Sequence, residues 1–385
     1  MQIARGASPR PIKNFITSDE DGVNWIKIGD VSPNDKYITK TNEKITKEGA
    51  SKSRLLHSGD FVLSNSMSFG RPYILKIDGC IHDGWIFMSG YKNSVIAGYL
   101  YEVLNSDFVQ KYWRTKANNG GAMTNLNSDI VRATSIPIPS LEEQNRIVGI
   151  LDTFTDSIEN LKQQIAQRRK QYEFYRDQLF DLEGKEGVEM KTLGEIGKCC
   201  AGATPSTKIK AYWDGGIIPW MSSGEIHQGI VKYTSNFITQ LGYNNSSTKM
   251  LPINTVVIAL AGQGKTRGTV AITNIDLCTN QSLCGVIINR CDILNKYIYY
   301  YLKTRYQDLR RVSSGDGTRG GLNLKMIASY KFPYIPLSEQ QRIVSILDTF
   351  EASISNLEAQ LAQRQKQYEY YRNKLLSFGN GDGES

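Results

Sequence analysis

Long apolar runs are missing from this 385-residue chain: no stretch reaches the roughly 18 apolar residues that a membrane-spanning helix needs. The opening residues, Met1-Gln2-Ile3-Ala4-Arg5-Gly6, lack the apolar core of a secretory signal. Histidine is scarce, with three in the chain, and none of the six cysteines forms a C-x-x-C pair. A zinc site is therefore not expected, and the cysteines read as reduced thiols of a cytoplasmic protein. Catalytic signatures are missing too. There is no Pro-Pro dipeptide, which removes the N/D-P-P-aromatic motif of amino-methyltransferases. There is no H-E-x-x-H, no G-x-S-x-G, and no Pro-Asp pair to open a restriction-nuclease signature. Gly262-Gln263-Gly264-Lys265-Thr266 looks like the end of a phosphate-binding loop. That motif needs a further glycine five residues before Gly264, where this chain has Ala259, so nucleotide binding is not expected. Missing motifs do not by themselves exclude activity, but the chemistry is expected to lie elsewhere than in this chain.

What is present is a folded, mildly basic protein. Apolar residues make up 40%, charged residues 22%, and the formal net charge is +8. The charge suits a polyanionic partner without demanding one. A single core rarely serves so long a chain, so two or more domains are expected.

The chain is written twice. Residues 143–154 read EQNRIVGILDTF and residues 339–350 read EQQRIVSILDTF, an offset of 196. From Glu143 to Leu179 about two thirds of positions match their partners at that offset. The offset also relates Arg5-Gly6-Ala7-Ser8-Pro9 to Ala201-Gly202-Ala203-Thr204-Pro205, Leu126-Asn127 to Leu322-Asn323, and Pro137 to Pro333. Between these anchors the copies diverge. Each repeat is thus a variable head followed by a near-constant segment, and Thr192-Leu193-Gly194-Glu195-Ile196 has no counterpart before Arg5.

The near-constant segment reads as a long helix. Its apolar positions alternate four and three apart, the 3.5-residue period of a coiled coil. The first seam is Ile147, Leu151, Phe154, Ile158, Leu161, Ile165, Tyr172, Tyr175 and Leu179, broken by Arg168. The second is Ile343, Leu347, Phe350, Ile354, Leu357, Leu361, Tyr368, Tyr371 and Leu375, broken by Arg364. Each arginine reads as a snorkelling side chain that sets register, or as a contact to a partner or to DNA. A helix of this length spans roughly 55 Å. Antiparallel pairing of the two would make a dumbbell with an internal twofold relation. The expected segments are a head over 1–141, a spacer helix over 142–182, a second head over 183–337, a second spacer helix over 338–378, and a tail over 379–385.

The heads mix short β-prone runs, such as 72–77 and 255–260, with helical stretches near 98–115 and 293–310. The fold class is therefore α+β. Each head carries polar loops whose residue types match base edges and phosphates. In the first the candidates are Ser64, Asn65, Ser66, Arg71, Lys116, Asn118 and Asn119. In the second they are Gln263, Lys265, Thr266, Arg267, Thr318 and Arg319.

The whole chain resembles the specificity subunits of type I restriction–modification enzymes, most of all the branch called type IC. The resemblance rests on residues 136–148 (IPIPSLEEQNRIV) and their second form at 336–344. It also rests on RRKQYEFYR at 168–176 with its twin at 364–372, and on KTLGEIG at 191–197. It implies two target-recognition domains, each reading half of a gapped sequence in double-stranded DNA. It implies docking of two modification (methyltransferase) subunits and two motor-nuclease restriction subunits, which hold the S-adenosylmethionine, ATP and magnesium. The chain itself would be non-catalytic. Two rivals remain open: a stand-alone sequence-specific DNA-binding protein, and a coiled-coil scaffold with no DNA role.

Overall fold

In the computed structural model, every residue is described except 34, 66–68, 118–124, 183, 263–264, 314–320 and 379–385. The chain divides into two compact units, Met1–Gln163 with Ala359–Ser385, and Gln164–Glu358. Each unit combines one head with the first part of one long helix and the last part of the other. The long helices run Leu141–Leu179 and Leu337–Leu376.

The heads share a frame. In the first, a five-stranded sheet has the order Gln2–Arg5, Trp85–Ser89, Phe61–Ser64, Pro72–Leu75, Tyr37–Ile38. In the second the order is Gly197–Ala201, Leu283–Ile288, Val256–Ala259, Val270–Thr273, Ile230–Val231. Both sheets are antiparallel except for the last strand, which lies parallel to its neighbour. The central strands bury both faces, and alternation sorts the side chains. In the first head Phe61 and Leu63 join the cluster under the helices, while Val62 faces the cluster of Ile26, Ile38 and Ile81. In the second head Val256 and Ile258 face the helices, and Val257 and Ala259 face away. A further sheet completes each head: five strands ordered Ile16–Thr17, Glu43–Ile45, Val23–Ile26, Gly79–Ile81, Leu55–Leu56 in the first, and three strands ordered Asn236–Ile238, Ile218–Met221, Cys278–Thr279 in the second. The second head also has a two-stranded pair, Glu189–Thr192 with Lys331–Tyr334. The helical stretches are the pairs Ala97–Leu104 with Asp107–Ala117, and Asn295–Thr304 with Tyr306–Val312. The α+β class holds.

Within each unit the two helix segments run antiparallel. In the unit holding the second head, Arg169 pairs with Glu358 at 2.6 Å and, one turn on, Tyr172 reaches back to Glu351. In the other, Ile147 and Leu151 share a core with Leu375 and Leu376, and Phe154 stacks on Tyr371 at 5.3 Å. Most seam residues turn inward. Ile147, Leu151, Ile343 and Leu347 are fully buried because the head covers that stretch as well. Tyr175 and Tyr371 are the correction: they stand on the seam but remain 46% and 40% exposed. Each stacks its ring on a phenylalanine of the opposite helix, Phe350 or Phe154, and meets the aromatic neighbour before it edge-on. Arg168 and Arg364 sit over those same phenylalanines, at 5.9 and 5.7 Å from the ring centres. Their charge therefore crosses an apolar seam as a cation–π contact.

Head and helix are buttoned by the repeated glutamine. Gln144 is fully buried. Its amide donates to the carbonyls of Ser94 and Pro139 and accepts from the Ile96 N–H. Gln340 does the same with Asp292, Ile335 and Leu294. Tyr99 and Tyr297 add a second button, donating to the carbonyls of Pro137 and Pro333.

Candidate nucleic-acid interface

The polar loops that the sequence singles out lie far apart along the chain, and each head joins the described residues that flank its own two. In the first head the strand Phe61–Ser64 ends at Asn65, whose carbonyl accepts from the Leu126 N–H at 2.9 Å. The loop begun at Asn65 and the loop that precedes Leu126 therefore leave from one point. In the second head Leu260 O accepts from Leu322 N, also at 2.9 Å. Leu126 and Leu322 are the repeat anchors, so the anchor marks this junction.

Each first loop also closes in the same way. Gly70 N donates to Ser64 O at 2.8 Å, and Gly268 N to Ala259 O at 3.0 Å. Both glycines have positive φ, +68° and +81°. A Cβ on Gly70 would lie 2.8 Å from the Trp113 ring, so this corner requires glycine. The helix behind each loop holds it. Gln110 donates to Gly70 O at 3.0 Å. Tyr306 donates to Lys265 O at 2.9 Å, and Arg310 to Arg267 O at 3.3 Å. What differs between the heads is the excursion, Asn65 to Gly70 against Leu260 to Gly268, and its side chains.

The candidate residues divide three ways. Arg71, Lys116 and Lys265 are exposed at the cluster, and Thr266 and Arg267 are half-buried in it. Ser64 and Asn65 are corrections, because both are buried. Ser64 Oγ accepts from Arg71 N at 3.2 Å, and Asn65 reaches toward the carbonyl of Asp83, so both shape the loop from beneath. Ser66, Asn118, Asn119, Gln263, Thr318 and Arg319 lie outside the described residues. The helices behind the loops add basic side chains in their last turns that the sequence reading passed over, Arg114 in the first head and Arg310 with Arg311 in the second. The Arg310-Arg311 doublet just before a Gly-rich stretch was the available signal. Cations at a helix C-terminus are also favoured by its dipole.

The chemistry on offer is binding. After the Gly262–Thr266 stretch come turns and then the strand Val270–Thr273, where a phosphate-binding loop would open a helix. Among the described residues no group of three or more His, Cys, Asp or Glu side chains could hold a metal ion, and no helix is long and apolar enough to cross a membrane. A groove of about 890 Å³ in the second head's unit is lined by Arg169, Lys232 and Lys303 among others. Arg169 and Lys303 are paired there with Glu358 and Glu351.

Two similar frames bearing different loops are the geometry of a reader with two heads. The family model for the type I restriction modification DNA specificity domain matches residues 2–168 and again 185–365. The chain belongs to that family. It is 39% identical over 258 residues to the EcoR124I/EcoR124II specificity subunit of Escherichia coli, covering 63% of each chain. It is 30% identical over 195 residues to the MjaIX specificity subunit of Methanocaldococcus jannaschii, covering 49% of this chain and 44% of that one. The match thus spans less than two thirds of both relatives. The putative MjaX subunit of the same organism is 24% identical over 395 residues, covering 95% and 90%. The fold is that of a solved type I R-M chain, with TM-score 0.67, 18% identity and 97% of both chains covered. It is also that of the HsdS subunit from Thermoanaerobacter tengcongensis, with TM-score 0.53, 18% identity, and 97% and 95% covered.

Proposed function

We propose that this type I specificity chain reads a two-part, gapped target in double-stranded DNA, one half per head, and catalyses nothing itself. The observation that carries the reading is the paired loop cluster. Each head ties the end of one polar segment to the end of another at the same junction of the same frame, and the two heads differ in the polar and basic residues that those segments carry. Phosphate contacts from such cations position a duplex, and the variable side chains between them read base edges. The setting is cytoplasmic, where the DNA is.

The helices supply the docking half of the proposal. The chain engages two modification subunits and two restriction subunits, and S-adenosylmethionine, ATP and magnesium belong to those partners. Support comes from a surface that the chain displays twice. Phe174 and Tyr175 are 58% and 46% exposed, and their repeats Tyr370 and Tyr371 are 60% and 40% exposed. Exposed aromatic pairs on a helix are costly to leave in water and common in interfaces. A surface kept in both copies while the heads diverge suits one kind of partner bound twice. Assignment to the IC-like branch rests on the helix motifs and remains part of this proposal.

The test is methylome sequencing of cells that express the chain with its neighbouring modification gene, against cells lacking the chain. A gapped methyladenine motif that disappears with the chain is expected. An unchanged methylome would refute the adaptor reading.

A further inference from the structure

Each unit gathers a partly buried polar cluster where a repeated tyrosine meets the head, and the two clusters are wired differently. In the unit of the second head Tyr172 donates to Glu351 at 3.3 Å. Tyr300 donates to Asp348 at 2.6 Å, and its hydroxyl oxygen lies 3.1 Å from Glu351. Lys303 lies 2.9 Å from Glu351, and Lys296 lies 2.7 Å from Asp348. In the unit of the first head the same tyrosine, Tyr368, donates to Glu102 at 2.7 Å. Lys36 lies 4.0 Å from Glu102 and 3.4 Å from Asp152.

The repeat makes these positions comparable. On the long helices the offset of 196 equates Tyr172 with Tyr368, Asp348 with Asp152, and Glu351 with Thr155. On the head helices the buttons fix the correspondence. The glutamines grip the N–H groups of Ile96 and Leu294, and Tyr99 and Tyr297 grip the two prolines, an offset of 198. Tyr300 therefore stands where Glu102 stands, and Lys303 where Asn105 stands. Two differences compensate. Glu351 on the helix becomes Thr155, and Tyr300 on the head becomes Glu102. The carboxylate moves from helix to head, the lysine moves from the head helix to Lys36, and the tyrosine keeps a carboxylate in both units.

We propose that the place of this carboxylate is an address that matches each head to its own helix segments. The heads then exchange positions freely only if the carboxylate moves with them. Such an address belongs to the chain's own assembly and stands apart from the DNA reading. The second head on the first head's helix segments would bring Tyr300 and Lys303 against Thr155 and leave that lysine without its carboxylate. The first head on the other segments would press Glu102, 1% exposed, against Glu351 and Asp348. Like charges in a partly buried site repel, and Lys36 with Arg176, the repeat of Arg372, would face three carboxylates. Glu102 already has little slack. Burial pushes its carboxyl above the usual range, Tyr368, Lys36 and Arg372 pull it back, and Asp152 adds to the push.

The experiment adds the carboxylate at the helix position of the full-length chain. Thr155→Glu and Thr155→Gln differ in charge and hardly in shape. The groups around Glu102 and its neighbour Tyr101 are Asp152, Lys36, Arg372, Tyr368, Tyr73 and Asn105. By the repeat the added acid takes the place of Glu351, and Glu102 the place of Tyr300 beside it, so on this proposal its folded-state pKa rises and the folded chain binds more protons than the unfolded one. Stability therefore falls as pH rises. At about pH 8 the unfolding temperature of Thr155→Glu should lie several degrees below that of Thr155→Gln, and the gap should close at about pH 5. Glu102→Tyr added to Thr155→Glu should recover most of the loss, because it rebuilds the other unit's wiring. Equal melting of the Glu and Gln variants at both pH values overturns the address. So does a double variant no better than the sum of its singles. Should a Glu102→Tyr chain fail to fold, the Glu–Gln comparison alone decides.

Discussion

A glutamine in the first turn of a helix is ordinarily solvated, and nothing in the string EEQNRIV marks Gln144 as different from Asn145. Position sets it apart. Gln144 and Gln340 are fully buried, and each makes three hydrogen bonds to main-chain groups of its head. Gln340→Leu leaves the Leu294 N–H and the carbonyls of Asp292 and Ile335 to find new partners. Removing one side of a buried hydrogen bond costs about 1–3 kcal/mol per orphaned group. With partial relaxation the variant should lose about 3 kcal/mol. Urea unfolding followed by Trp213 and Trp220 fluorescence measures it, and a change below about 0.5 kcal/mol would mean that the clamp is not holding the head. Ser64 and Asn65 teach the same lesson in reverse. Their chemistry suits a base edge, but they occupy the end of a buried strand, and strand burial decides their use.

At the scale of elements the long helices were the most legible feature, because a 3.5-residue period over many turns has one structural solution. The boundary between units falls at Gln163–Gln164 on one helix and Glu358–Ala359 on the other. Inserting one heptad after Gln163 and one after Glu358 keeps every seam residue in register. It lengthens each helix by about 10 Å at 1.5 Å per residue, or about three base-pair steps at 3.4 Å. The methylated motif should keep both half-sites and gain about three base pairs of gap. An unaltered gap, with the protein folded, removes the spacer role from the helices. The exposure of Tyr175 and Tyr371 was not legible, because periodicity reports which side chains share a face and not how wide the covering surface is.

The whole molecule is more repetitive than its sequence. Beyond the helices, identity between the heads shrinks to a few anchors, yet the main sheets agree strand for strand and the loop junctions agree bond for bond. The anchors survive where geometry is least forgiving: Leu126 and Leu322 at the loop junction, and Pro137 and Pro333 under the tyrosine buttons. Strand pairing tolerates any side chain that fills the same volume, so the rest could drift. Separate cores in separate units should make the heads independent in what they read and coupled in how tightly they bind. Lys265→Ala with Arg311→Ala strips two exposed cations from the second head and leaves the sequence of the first unaltered. Every cation–phosphate pairing removed should lower the slope of log affinity against log salt by about 0.9. Affinity for the full target should fall steeply, while the half-site read by the first head keeps its sequence. Salt-titrated fluorescence anisotropy of the complex with its modification subunits supplies the slope, and methylome sequencing supplies the half-sites. A slope that does not move would take these cations off the DNA, and a change in both half-sites would mean that the two heads do not read separately.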